Sequence, residues 1–206
     1  MERVAPARRG LWQSKAFLTG AAVAGFVVLV AVLAPLLTAA AGQDQVSYHI
    51  DRLDPLGAPL GGFGGINGEH WLGVEPMTGR DLFARVVHSL RFSLGVALGA
   101  AVVEVLLFLL VAAAVRRGNV RRLLGPALMC GALLVPLNLI VEVGVAFLGI
   151  GLRPPPTPSW GGMLADATLW YSADPAFLLV PGLLLVVTVL AFLLLAEGLR
   201  RRFVAG

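Results

Sequence analysis

Apolar residues fill this chain in four long blocks, separated by short stretches where polar residues, glycine and proline collect. The blocks run from Ala16 to Ala41, Phe92 to Val115, Leu123 to Leu152 and Phe177 to Ala196. A helix needs about 20 apolar residues to cross a bilayer, so each block predicts a transmembrane helix. The third block is too long for one crossing and too short for two. At about 1.5 Å per residue it would reach about 45 Å, against a hydrocarbon core of roughly 30 Å. Pro126 and Pro136 can break or kink it. Its span is therefore placed within 126–152, kinked near Pro136, with a short interfacial start near Leu123 and the crossing itself over roughly Leu133 to Leu152. The expected fold is an all-α integral membrane protein with spans at 16–41, 92–115, 126–152 and 177–196. The first block exceeds the roughly 7–15 residues of a signal-peptide core and reads as a retained anchor.

The segments between the spans differ in kind. Residues 42–91 open with a Gly- and Pro-dense stretch, "DRLDPLGAPLGGFGGINGEHW", which predicts loop and turn. From Thr78 the pattern becomes helical. Thr78 and Asp81 fit a T-x-x-D helix start, and Leu82, Phe83, Val86, Val87 and Leu90 fall on one face. This predicts an amphipathic helix near 79–91, lying at a membrane interface before the second span begins. Its charges are either merely solvated or a docking surface for a partner. The segment 153–176 carries Pro154, Pro155, Pro156 and Pro158, which favour a stiff extended conformation. Trp160, Trp170 and Tyr171 there suit the headgroup level, as interface anchors or as part of a shaped surface.

Charge assigns the sides. Arg3, Arg8, Arg9 and Lys15 lie in the N-terminal segment 1–15, Arg116, Arg117, Arg121 and Arg122 in the connection 116–125, and Arg200, Arg201 and Arg202 in the tail 197–206. Four spans put all of these on one side, and only Arg52, Arg80, Arg85, Arg91 and Arg153 on the other. By the positive-inside rule both termini are cytoplasmic, and 42–91 and 153–176 are extracytoplasmic.

Composition agrees: 58% of residues are hydrophobic and 14% charged, where a soluble domain has about 45–50% and about 25%. The net charge of +4 sits in arginines flanking the apolar blocks, as membrane topology requires, and nucleic-acid binding is not expected. Cys130 stands alone in an apolar run, and His49, His70 and His88 lack ligand spacing, so no metal site is expected. Gly95 and Gly99, and separately Gly20, Ala21, Ala24 and Gly25, permit close helix contact. Glu104 and Glu142 fall near the centres of the second and third spans. A carboxylate there costs about 2.5–3.5 kcal/mol on insertion scales, so each either lines a translocation path or hydrogen-bonds another helix as structural glue. No Lys or Arg lies at matching depth, so a salt-bridge partner would come from another subunit. No phosphate-binding loop, metalloprotease motif or nucleophile triad is present, and the chain is not expected to be an enzyme.

Three stretches together resemble a known family. "HWLGVEPMTGRDLFARVVHSLRFSLGVAL", "VEVGVAFLGIGLRPPPTPSWGGMLADA" and "LLVPGLLLVVTVLAFLLLAEGLRRRF" are similar, in order and in sidedness, to signatures of the C-type permease subunits of dipeptide, oligopeptide and nickel ABC importers. The resemblance implies a bacterial cytoplasmic-membrane permease working as a heterodimer with a second permease subunit. It implies partner ATPase subunits that carry the ATP and Mg, an extracytoplasmic solute-binding protein, and no cofactor bound by this chain. It places His70, Trp71, Gly79, Arg80, Asp81, Pro155, Pro158, Ser159, Trp160 and Gly161 on the outer partner face, and matches Glu142 to the family's Glu. The family's six spans and cytoplasmic E-A-A-x-x-x-G coupling helix are not found. The connection bearing Arg116, Arg117, Arg121 and Arg122 is then a reduced candidate for ATPase coupling. The other reading is a non-transporting or regulatory scaffold subunit derived from such a permease.

Overall fold

The computed structural model describes residues 11–116, 123–150 and 158–203. Among the described residues five α-helices carry the fold: α1 (Lys15–Ala41), α2 (Leu82–Arg116), α3 (Leu124–Phe147), α4 (Trp160–Ala167) and α5 (Pro175–Phe203). Short 3₁₀ turns sit at Leu11–Gln13 and Ile50–Arg52. α1, α2, α3 and α5 are each long and apolar enough to cross a bilayer, and the chain is an all-α integral membrane protein.

These four form a quartet in which α1 packs against α2 and α5, and α3 packs against the same two. Small residues set the closest approaches. A Cβ on Gly20 of α1 would lie 2.5 Å from the backbone nitrogen of Leu195 in α5, and one on Gly198 would lie 2.5 Å from Phe17. Only glycine lets these backbones come so near. The core between the helices joins Ala24, Val27 and Ala31 of α1 to Leu90, Leu94 and Ala97 of α2, Val135 and Leu139 of α3, and Ala191 and Phe192 of α5. The outward faces stay apolar. Phe26 and Val32, Leu106 and Leu110, Leu137 and Val141, and Leu183 and Leu190 are all exposed, which costs nothing against lipid tails and would drive aggregation in water.

The two long connections meet at one end of the quartet and build a cap. Leu82, Val86, Met163, Ala167 and Phe177 form its own apolar cluster, with Leu72 and Trp170 packed against it. The arginine-rich end of α5 and the start of α1 lie at the opposite end.

The helix boundaries depart from the sequence expectation in five places. No separate interfacial helix exists at 79–91: α2 runs unbroken for 35 residues from Leu82, about 52 Å at 1.5 Å per residue. Nothing between Leu82 and Phe92 breaks a helix, so the span extends beyond a hydrocarbon core of roughly 30 Å and into the cap. Its N-cap is Asp81 and not Thr78, since Asp81 Oδ1 accepts from the Ala84 N–H at 2.7 Å. The segment expected to be loop at 153–176 contains α4, capped by Ser159, whose Oγ accepts from the Gly162 N–H at 3.2 Å. Finally, α3 ends at Phe147, short of Leu152, while α5 continues past Ala196 to Phe203.

Candidate functional site

The motif-bearing residues of the first connection fold inward and not outward. Gly73 and Gly79 have φ of +82° and +66°, a region open to glycine. A Cβ on Gly73 would lie 2.1 Å from the Gly64 carbonyl oxygen, and one on Gly79 2.2 Å from that of His49. These two close contacts fold 49–81 back over the start of α2. His70 Nδ1 then comes 2.9 Å from Asp81 Oδ2, with both side chains about 2% exposed or less. The Asp81 carboxylate thus caps α2 with one oxygen and accepts from His70 with the other. The His49 ring packs edge-on against His70, ring centroids 4.7 Å apart.

A second buried pair lies beside the first. Arg85 Nε donates to Glu75 Oε1, Thr78 Oγ1 donates to Glu75 Oε2 at 3.1 Å, and Arg85 Nη1 reaches the Gln45 carbonyl at 3.5 Å. Burial pushes the Glu75 carboxyl above its ordinary range, and the Arg85 guanidinium opposes that shift. At the cap's rim the Arg80 guanidinium stacks 4.6 Å from the Tyr48 ring centroid and donates to its hydroxyl. Two other cap carboxylates shift in opposite directions. Hydrogen bonds from Ser47 hold Asp44 below its usual value, while burial raises Asp174.

Most of the residues expected on an outer partner face are therefore interior. His70, Gly79, Asp81, Pro158, Ser159, Trp160 and Gly161 are buried, Arg80 is half-buried, and Trp71 is exposed. Trp160 is wholly buried beneath the cap, so it is not a headgroup anchor. Gly161 explains how: a Cβ there would lie 2.1 Å from the Val143 carbonyl oxygen, so α4 rests directly on the α3 backbone. Pro155 lies outside the described residues, as do Arg117, Arg121 and Arg122 of the coupling candidates. Arg116 closes α2.

The two intramembrane acids each find a partner inside the chain. Asn138 Nδ2 of α3 donates to Glu104 Oε2 of α2 at 2.9 Å. Glu142 lies beside the Ser93 hydroxyl of α2, whose oxygen accepts from the Trp160 N–H at 3.2 Å. Glu142 Oε2 is buried with no hydrogen-bond partner. No motif or spacing in the sequence marks Ser93, Asn138 or Glu75 as site residues, and Arg85 stands out there only as one of the outer basic residues. Asn138 was findable as another polar residue inside a span; the Glu75–Arg85 pair was not, because a turn and not a helical repeat brings its members together.

Comparison with known proteins supplies a second line of observation. No family model matches the chain. A probable peptide ABC transporter permease protein, y4tQ of Sinorhizobium fredii, is 40% identical over 78 residues, which is 38% of this chain and 26% of the relative. The oligopeptide transport system permease protein OppC of Salmonella typhimurium is 37% identical over 89 residues, 43% of this chain and 29% of that one. The glutathione transport system permease protein GsiD of Escherichia coli is 43% identical over 63 residues, 31% and 20% of the two chains. The matched stretch thus spans less than a third of each relative's own length. Over part of its length this chain is similar to the permease subunits of peptide ABC transporters.

Proposed function

We propose that this chain is a membrane permease subunit of an ATP-driven ABC importer for peptides or similar small solutes, contributing helices to the translocation path. The observation that carries this is the location of the matching motifs. The H-W-L-G and G-R-D residues, the P-S-W-G residues and the start of α5 come together in one cap, opposite the arginine-rich end. A buried His70–Asp81 pair and a buried Glu75–Arg85 pair hold the cap over four apolar helices. With the basic end cytoplasmic, the cap faces outward in a bacterial cytoplasmic membrane. There it would receive solute from an extracytoplasmic binding protein. Its permease partner is a second subunit in a heterodimer, and its energy source is a separate ATPase docked at the basic end near Arg116. The chain itself carries no catalytic step; its work is to bind partners and to open alternately.

The test is co-purification and uptake in the native host. The tagged chain should bring down an ABC ATPase subunit, and its deletion should abolish ATP-dependent entry of a radiolabelled peptide while membrane potential is intact. Normal uptake in the deletion strain would overturn the reading.

A further inference from the structure

A cavity of about 620 Å³ opens where the end of α1 meets α2 just beneath the cap, lined by Gln45, His88, Arg91, Phe92, Gly95 and Val96. Its size is that of a small-ligand pocket, for which about 300–1,000 Å³ is typical. Its two ends differ in chemistry. The rim carries Arg91, exposed, and His88, whose Nε2 lies 3.5 Å from Thr38 Oγ1. The Thr38 hydroxyl is already directed at the Ala34 and Pro35 carbonyls of its own helix, 3.1 and 3.2 Å away, so His88 is the donor in that contact. Among the described residues no carboxylate is within ion-pair distance of Arg91; of the two buried acids nearest it in sequence, Asp81 is engaged by His70 and the Ala84 N–H and Glu75 is held by Arg85. The floor is apolar and unfilled. A Cβ on Gly95 or on Gly99, one turn further along α2, would meet nothing within 4 Å. So the G-x-x-x-G stripe expected to bring two helices together has no helix against it among the described residues, and the cavity opens onto an uncovered groove along this face of α2.

We propose that this cavity binds a phospholipid, with the headgroup phosphate at Arg91 and one acyl chain along Phe92, Gly95 and Val96 toward Gly99. Charge complementarity selects the occupant. An unpaired guanidinium at the edge of a bilayer-crossing helix takes a phosphate, for which its planar fork of donors is suited. The groove below it offers hydrocarbon contact at the depth where acyl chains begin. Position agrees, because His88 is level with Thr38, three residues before α1 ends at Ala41. This assignment goes beyond the transport reading and does not rest on it. The same phosphate chemistry could come from a free anion, and the groove is what makes a lipid the better fit.

The experiment is a native mass spectrometry titration of the detergent-purified full chain with dioctanoyl phosphatidylglycerol. Arg91→Gln should weaken the tightest lipid adduct by about five-fold, the effect of one arginine–phosphate attraction. Gly95→Leu should block the groove and weaken the adduct at least as much, and since its side chain enters open space and improves helix propensity, it keeps the fold. Dioctanoylglycerol, which lacks the phosphate, should give no such adduct, and millimolar inorganic phosphate should not displace the lipid. Unchanged lipid affinity in both variants would overturn the proposal. So would displacement by inorganic phosphate together with wild-type binding in Gly95→Leu, which would make the site one for a free anion.

Discussion

One carboxylate, that of Asp81, holds two parts of the chain at once: its Oδ1 accepts from the Ala84 N–H at 2.7 Å and its Oδ2 meets His70 Nδ1 at 2.9 Å. The helix start and the cap are thereby fixed to each other. Asp81→Ala removes both contacts, an N-cap worth about 1 kcal/mol and a buried partner of His70 worth a further 1–3 kcal/mol or so. Asp81→Asn keeps a capping oxygen and should recover about the first part. Thermal unfolding of both variants in detergent, with His70→Ala to close a double-mutant cycle, should give a coupling energy of about 0.5–3 kcal/mol between His70 and Asp81. Additive losses would mean that the two side chains act independently.

The Glu75–Arg85 pair should behave differently when one member or both are replaced. Both side chains are less than 10% exposed. Arg85→Met strands Glu75 in the cap interior and should cost about 3–5 kcal/mol, whereas the paired change Glu75→Leu with Arg85→Met removes two desolvated charges and should recover most of the loss. The measurement is again the unfolding midpoint. A double variant no more stable than Arg85→Met would show that the pair is needed for its charge and not only for its mutual compensation.

How much of this was legible beforehand follows from the range of each interaction. Helix number and approximate position follow from the apolar blocks, because bilayer thickness fixes span length whatever the neighbours do. The unbroken α2 was not legible: Leu82, Val86 and Leu90 show an amphipathic face, and sequence alone does not say whether that face meets lipid headgroups or a protein cap. It meets Met163, Ala167 and Phe177, which lie far along the chain. The inward turn of His70 and Trp160 was hidden for the same reason, since it depends on two glycine contacts across the fold, Gly79 on His49 and Gly161 on Val143. Glu104 and Glu142 were legible as anomalies; the identity of their partners, Asn138 and Ser93, depended on how α2 and α3 are registered.

That register separates glue from path for Glu104. Asn138→Leu leaves the carboxyl without its amide inside a spanning segment and should cost roughly 0.6–1.7 kcal/mol, the range for interhelical hydrogen bonds in membranes. Glu104→Gln keeps a hydrogen-bonding group and should cost less. If Glu104 serves only to hold α2 to α3, solute uptake should follow folded protein level in both variants. A fall in uptake by Glu104→Gln at unchanged protein level would place its charge in the path.

Burial of Asp174 gives the fold a pH dependence of definite sign. Its Oδ1 accepts from the Ala176 N–H at 3.1 Å at the start of α5, and its Oδ2 is buried without a partner beside Gly64. Burial raises this carboxyl above its ordinary value of 3.8, so the folded state takes the proton more readily than the unfolded one. The associated stability is fully present below the unfolded value and is lost as pH rises through the folded one. Asp174→Asn keeps an acceptor for the α5 cap and removes the titration. Its unfolding midpoint should exceed that of the unsubstituted chain near neutral pH, and the difference should shrink as pH falls toward 4. A constant difference between pH 4 and 7 would mean that Asp174 stays ionised in the fold, with Oδ2 held by a donor that compensates its burial.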